Sequence, residues 1–202
     1  MSESTTQSRE PARRAFAQEF NDAGHTFKES DDDRAPVYLL LPTGVKANRV
    51  FVVGTLTETE DLGDDSEYWQ GRVVDPNGDT FFVYAGQYQQ EAMGFLQTVE
   101  PPAYVAVVGK PRTYETSDGD VNVSIRPESI TQVSEDIRDR WVVETAERTM
   151  ERLQVFDEGG EYIDEARERY DPDLDEYREM TISALKSLNQ AENDDGDQGG
   201  DG

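Results

Sequence analysis

Residues 68–86 read YWQGRVVDPNGDTFFVYAG. Two runs rich in β-branched and aromatic residues, Trp69–Val74 and Thr80–Ala85, flank a cluster of turn formers, Asp75, Pro76, Asn77, Gly78 and Asp79. The pattern predicts a β-hairpin. Arg72 sits among the apolar residues of the first strand and Phe81, Phe82 and Tyr84 occupy the second. Such a pairing suits either the core of a small barrel or a platform for flat ligands.

Outward from the hairpin, strands continue in both directions. Arg49–Glu58 (RVFVVGTLTE) is β-branched, with Gly54 inside it, and Gly54 and Gly71 are the candidates for the bends that barrel closure requires. Downstream, Gln87–Val99 carries Ala92, Leu96 and Val99 at helical spacing, and Pro101-Pro102 ends it. Two further strands, AYVAVVGKPRTYE (103–115) and VNVSIRPESITQV (121–133), are joined around Ser117-Asp118-Gly119-Asp120, a hairpin signal. Three strands, a helix and two strands is the order of an OB-fold, a small Greek-key barrel. A two-layer sandwich of the same strands is the alternative.

The expected organisation is mainly β with C-terminal helices: a five-stranded OB-fold barrel at 49–133, plus flanking segments. Residues 1–48 form an N-terminal extension, with a short amphipathic helix around Phe16 and Phe20 and a buried strand from Pro36 (PVYLLLPTG). Residues 134–190 change to helical period: Ser134 is an N-cap candidate, Glu135 and Asp136 suit a helix start, and Trp141, Val142, Ala146, Met150 and Leu153 make an apolar stripe. Gly159-Gly160 breaks that helix, and two shorter helical pieces follow around 163–170 and 174–188. Residues 191–202 (AENDDGDQGGDG) read as a disordered acidic tail.

The 202 residues include 44 acidic and 19 basic side chains, a formal net charge of −25. That balance keeps a chain soluble at the cost of self-repulsion, and halophiles exploit it in concentrated salt. Cysteine is absent, which excludes disulfides, thiolate nucleophiles and cysteine metal sites. There is no long apolar run and no apolar signal core, so a cytoplasmic protein without a membrane span is expected. Catalysis is not expected either. His25, the one histidine, falls in a predicted loop without a nucleophile partner, and Gly109-Lys110 lacks the upstream glycine of a phosphate-binding loop. No cofactor is implied.

Five blocks, NRVFVVGTLTE, GRVVDPNGDTFFVYAGQYQQEA, VAVVGKPRTY, SIRPESI and RDRWVVETAERT, together resemble the replication protein A-associated proteins of halophilic archaea, over about residues 9–155. The resemblance implies an OB-fold subunit that assists a replication protein A homologue in binding single-stranded DNA, in replication and repair. The partner is that homologue, and DNA is met directly or through it. An autonomous single-strand binder and a purely protein–protein module are the alternatives.

In an OB-fold the ligand face is that of strands two and three, with the loops joining strands one–two and four–five. Single strands are held by rings stacked on bases and by basic groups along the backbone. The candidate nucleic-acid contacts are therefore Trp69, Arg72, Phe81, Tyr84, Lys110, Arg112 and Tyr114. Alternation leaves either Phe81, Val83 and Ala85 or Thr80, Phe82 and Tyr84 as the outer set; counting from Gly78, as in related OB-folds, puts Phe81 outward. Residues 46–133 carry six basic groups against fourteen acidic ones, so stacking rather than charge should carry affinity. In the replication protein A family, helices after the barrel associate subunits. The stripe Trp141, Val142, Ala146, Met150 and Leu153 is accordingly the candidate partner-binding face; the other possibility is that it packs on its own barrel or on the later helices.

Overall fold

The computed structural model describes residues 10–195. In chain order the elements are α1 (Ala17–Asp22), β1 (His25–Lys28), β2 (Val37–Leu40), β3 (Lys46–Ala47), β4 (Val50–Asp61), β5 (Trp69–Val74), β6 (Thr80–Ala85), α2 (Gln90–Thr98), β7 (Ala103–Glu115), β8 (Val121–Gln132), α3 (Glu135–Val155), α4 (Glu161–Tyr170) and α5 (Leu174–Asp195). Strands β4 to β8 close into a barrel with the order β4-β5-β6-β8-β7, and β4 pairs with β7 to complete the ring. All pairings are antiparallel except β6 with β8, which run parallel. A closed five-stranded Greek-key barrel with a helix between its third and fourth strands is an OB-fold.

The barrel interior follows from period-two alternation. Val52, Leu56, Val73, Phe81, Val83, Val105, Val107 and Ile125 are buried, and α2 closes one end with Ala92 and Leu96. The two candidate bend glycines serve close approach instead. A Cβ on Gly54 would lie 2.5 Å from the Val74 carbonyl oxygen, and one on Gly71 would lie 2.9 Å from Leu96 Cδ2. The β4–β5 register shifts between Leu56 and Glu58, where the chain bulges.

The N-terminal extension is more structured than one helix and one strand. Strands β1, β2 and β3 form a separate three-stranded antiparallel sheet, which places His25 on a strand rather than in a loop. Helix α1 is six residues long, and its Phe16 and Phe20 neighbourhood is fully buried. Its first amide is capped from the barrel: Asp75 accepts from the Ala17 N–H at 2.9 Å, and also from Asn77 and Asp79. Burial pushes the Asp75 carboxyl up, partly opposed by those three backbone donors.

The first half of β4 has β7 on one edge but no β5, whose pairing begins at Thr55. Arg13 covers the open edge, donating to the Arg49 carbonyl at 2.8 Å and accepting from the Phe51 N–H at 2.9 Å. The Phe51 carbonyl accepts from the Trp141 indole N–H at 2.9 Å, and Phe16 meets the Trp141 ring edge-on at 5.6 Å. Edge groups that would otherwise template aggregation are thus taken up by α3 and the extension.

Ser134 holds the position before α3, but its hydroxyl makes no capping bond. The stripe of α3 turns inward, against the barrel and α5. Trp141, Val142, Ala146 and Leu153 are buried and Met150 is half-buried against the same core. Arg152 extends from this helix to fully buried Glu19 at 2.7 Å, and Thr43 donates to the same carboxylate. The Tyr170 hydroxyl donates to the Leu40 carbonyl and accepts from the amides of Gly24 and His25, fastening α4 to the small sheet. Helix α5 runs to Asp195, into the segment expected to be tail. The remainder of that tail, and the loose N-terminus expected at 1–9, lie outside the described residues.

Candidate nucleic-acid interface

Uninterrupted alternation along β6 sets which rings face out. Phe81, Val83 and Ala85 are fully buried, while Thr80, Phe82 and Tyr84 are half-exposed on the outer wall. Phe81 is therefore core, not ligand surface, because it pairs across the hairpin with buried Val73 and packs against Phe20 at 5.7 Å. Trp69 moves with it. Its partner across the hairpin is buried Ala85, and it shares the inward phase of Gly71 and Val73. Its ring packs on the core at the barrel rim, with an indole N–H that has no partner.

The opposite phase of β5 presents Gln70 and Arg72. Across the strands, Glu58, Arg72 and Phe82 make one row, and Gln70 and Tyr84 the next. Arg72 lies 3.3 Å from Glu58 and 5.8 Å from the Phe82 ring centre, an exposed ion pair worth little in concentrated salt. Gln70 donates to the Tyr84 hydroxyl at 2.8 Å. Tyr68, just before β5, stacks on Tyr84 with ring centres 5.7 Å apart and planes 9° from parallel.

On the neighbouring hairpin, Lys110, Arg112 and Tyr114 alternate outward along β7, facing Arg126, Ser124 and Asn122 of β8. The parallel β6–β8 pairing sets this wall beside the first, so that Tyr114 meets Tyr84. Phe82, Tyr84, Tyr114 and Asn122 line a shallow depression of about 330 Å³. Burial raises the Tyr84 and Tyr68 hydroxyls and the Tyr114 neighbour raises both further, with the Gln70 donor opposing it at Tyr84, so these two remain donors at neutral pH. Burial, then Arg126, lowers Arg112, though a guanidinium stays charged.

The charges around this depression are unbalanced. Most cations of the chain are matched to carboxylates, yet no ion pair joins Lys110, Arg112 or Arg126 to one among the described residues. Lys110 and Arg126 stand directly opposite each other, a destabilising like-charge arrangement in a chain with carboxylates to spare. Rings and unmatched cations side by side suit a ligand that is both flat and anionic.

Five of the seven expected contacts, Arg72, Tyr84, Lys110, Arg112 and Tyr114, thus share one wall of the barrel. Three more belong with them. Tyr68 and Phe82 have the parity of Arg72 and Tyr84, a signal present in the strand pattern, and Arg126 is revealed only by the β7–β8 register. The expected partner face on α3 is corrected: Trp141, Val142, Ala146 and Leu153 are covered by the barrel, Phe16 and α5, and Met150 is packed against them. A stripe covered within the same chain offers no surface for docking. Among the described residues no cluster of metal-ligating side chains occurs, and no helix is long and apolar enough to cross a membrane. His25 faces Glu165 at 3.3 Å.

No family model and no curated protein matches the chain. Solved structures do resemble it. OBody AM2EP06 bound to hen egg-white lysozyme is 19% identical, over 43% of this chain and 80% of that one, with a TM-score of 0.36. The second single-stranded DNA-binding protein of Mycobacterium smegmatis is 23% identical over 42% and 84%, with a TM-score of 0.36. The mitochondrial single-stranded DNA-binding protein Rim1 of S. cerevisiae is 18% identical over 43% and 92%, with a TM-score of 0.35. Likeness this slight says nothing about a ligand.

Proposed function

We propose that this protein binds single-stranded DNA on the wall carrying Phe82, Tyr84, Tyr114, Arg72, Lys110, Arg112 and Arg126, as a subunit that assists a replication protein A homologue in replication and repair. One observation carries the DNA contact: three cations with no ion-pair partner among the described residues adjoin a depression lined by three rings, in a chain of net charge −25. Bases stack on the rings and phosphates meet the cations. In molar salt the phosphate contribution fades and stacking persists. The association with replication protein A rests on the five sequence blocks.

The test is fluorescence anisotropy of a labelled oligo-dT in molar KCl. Tyr114→Ala is expected to weaken binding by about 5- to 150-fold, the equivalent of about 1–3 kcal/mol per stacked base. No binding by the unmutated protein, or unchanged affinity for both Tyr114→Ala and Phe82→Ala, refutes it. For the companion role, the tagged protein is purified in molar salt, and absence of any accompanying single-strand-binding protein refutes association. An autonomous binder is the second reading, favoured by the enclosure of the α3 stripe, which removes the helical face expected to recruit a partner.

A further inference from the structure

Followed away from Tyr114, the outer face of β7 leads through Arg112 and Lys110 to a cleft of about 450 Å³ between the barrel and the N-terminal extension. Among the described residues four cations line it: Arg112 and Lys110 from the barrel, Arg49 from the strand entry, and Arg34 from the loop before β2. Arg49 is already held by Glu128, with nitrogen–oxygen distances of 2.6 and 3.0 Å. Among the described residues, the one carboxylate lining the cleft, Glu10, accepts from the Tyr38 hydroxyl at 2.7 Å. Asp32 caps the Arg34 backbone N–H at 2.8 Å, but neither it nor its acidic neighbours line the cleft. Among the described residues, Arg34, Lys110 and Arg112 are left facing one space with no ion pair to a carboxylate.

The cleft continues the wall already described, since it shares Lys110 and Arg112 with it. From Tyr114 to Lys110 the strand covers about 13 Å, at roughly 3.3 Å per residue. An anion that spans ring depression and cleft must repeat its charge along an extended chain, which a phosphodiester backbone does. The opposite exit from Lys110, past Arg126, is lined by Glu91 and Glu128 and is the less favourable route for it.

We infer that the N-terminal extension supplies a second, basic subsite, in which Arg34, with Lys110 and Arg112, takes the backbone of a single strand leaving the ring-lined wall. The inference rests on the proposed DNA contact and lengthens its footprint beyond the barrel. Phosphates are gripped there, while bases are read by stacking elsewhere.

Arg34→Gln separates the two. Affinity is measured against salt for oligo-dT of about five and about twenty nucleotides, lengths that bracket the footprint of one OB-fold. For the long oligonucleotide, the slope of log affinity against log salt should shrink by about 0.7 with Arg34→Gln, one phosphate contact, and stay unchanged for the short one. Arg34 is exposed, and an unaltered thermal midpoint certifies the fold. Equal effects on both lengths, or none on the long one, overturn the subsite while Tyr114→Ala still reports on the rings. Displacement of poly-glutamate instead of long oligo-dT assigns the cleft to an acidic protein and overturns it too. If the unmutated protein binds neither oligonucleotide, the contact and the subsite fall together.

Discussion

Replacing Trp141 by Phe separates a stripe that is part of the fold from one that recruits a partner. The indole N–H donates to the Phe51 carbonyl at 2.9 Å, on the β4 edge that lacks a strand. Phe keeps an aromatic ring against Phe16 but has no donor. A part-buried acceptor stripped of its partner costs about 1–2 kcal/mol, the lower part of the usual range because the site is only partly enclosed. The smaller ring adds roughly 1–2 kcal/mol of lost packing, below the cost of deleting a whole aromatic side chain. The sum, about 2–4 kcal/mol, should lower the melting temperature by roughly 4–16 °C for a chain of this size. Circular dichroism melts at fixed molar salt measure it, with urea midpoints as a second reading. A midpoint unchanged within a degree, together with weaker capture of a partner protein, would mean that the stripe faces outward and that the packing described above is wrong.

Gly71→Ala should destabilise by about 1–3 kcal/mol through overpacking, because its Cβ would press on Leu96 Cδ2 and on Leu56 Cδ1 at 2.9 and 3.2 Å. Urea denaturation measures the loss, and combination with Leu96→Val should restore part of it. Asp75→Ala should cost at least about 2 kcal/mol, since it strips the acceptor from the amides of Ala17, Asn77 and Asp79; Asp75→Asn should cost less. Equal stability of both variants and the unmutated protein would refute its capping role. His25 should make stability fall as pH drops through 6.5, since burial, then Arg169, hold its imidazole below that value against the pull of Glu165. The unfolded chain takes up a proton that the folded one resists, so a melt series from about pH 7.5 to 5.5 should slope less in His25→Gln.

The five barrel strands, the turn at Asp75–Asp79, the helix at Gln90–Thr98 and the change of period after Ser134 were legible in the sequence, because each is a local pattern of period two or 3.6 closed by turn or cap residues; β1 and β3 of the extension were not. The outward place of Arg72, a charged residue between apolar neighbours on an alternating strand, was legible too, whereas Lys110, Arg112 and Tyr114, expected where the strand runs out into the loop, lie within β7 itself, paired to β8. Tertiary structure decided the rest. Whether Phe81 or Phe82 faces inward depends on which side of the hairpin closes against β8 and α1, and alternation is symmetric until that contact exists. The fate of the α3 stripe depends on Trp141 reaching Phe51, ninety residues away, and on Phe16 arriving from the N-terminus. The cluster of Lys110, Arg112 and Arg126, and the cleft they share with Arg34, come from cross-strand register and from docking of the extension. No local spacing encodes those, because they are set by contacts between segments remote in the chain.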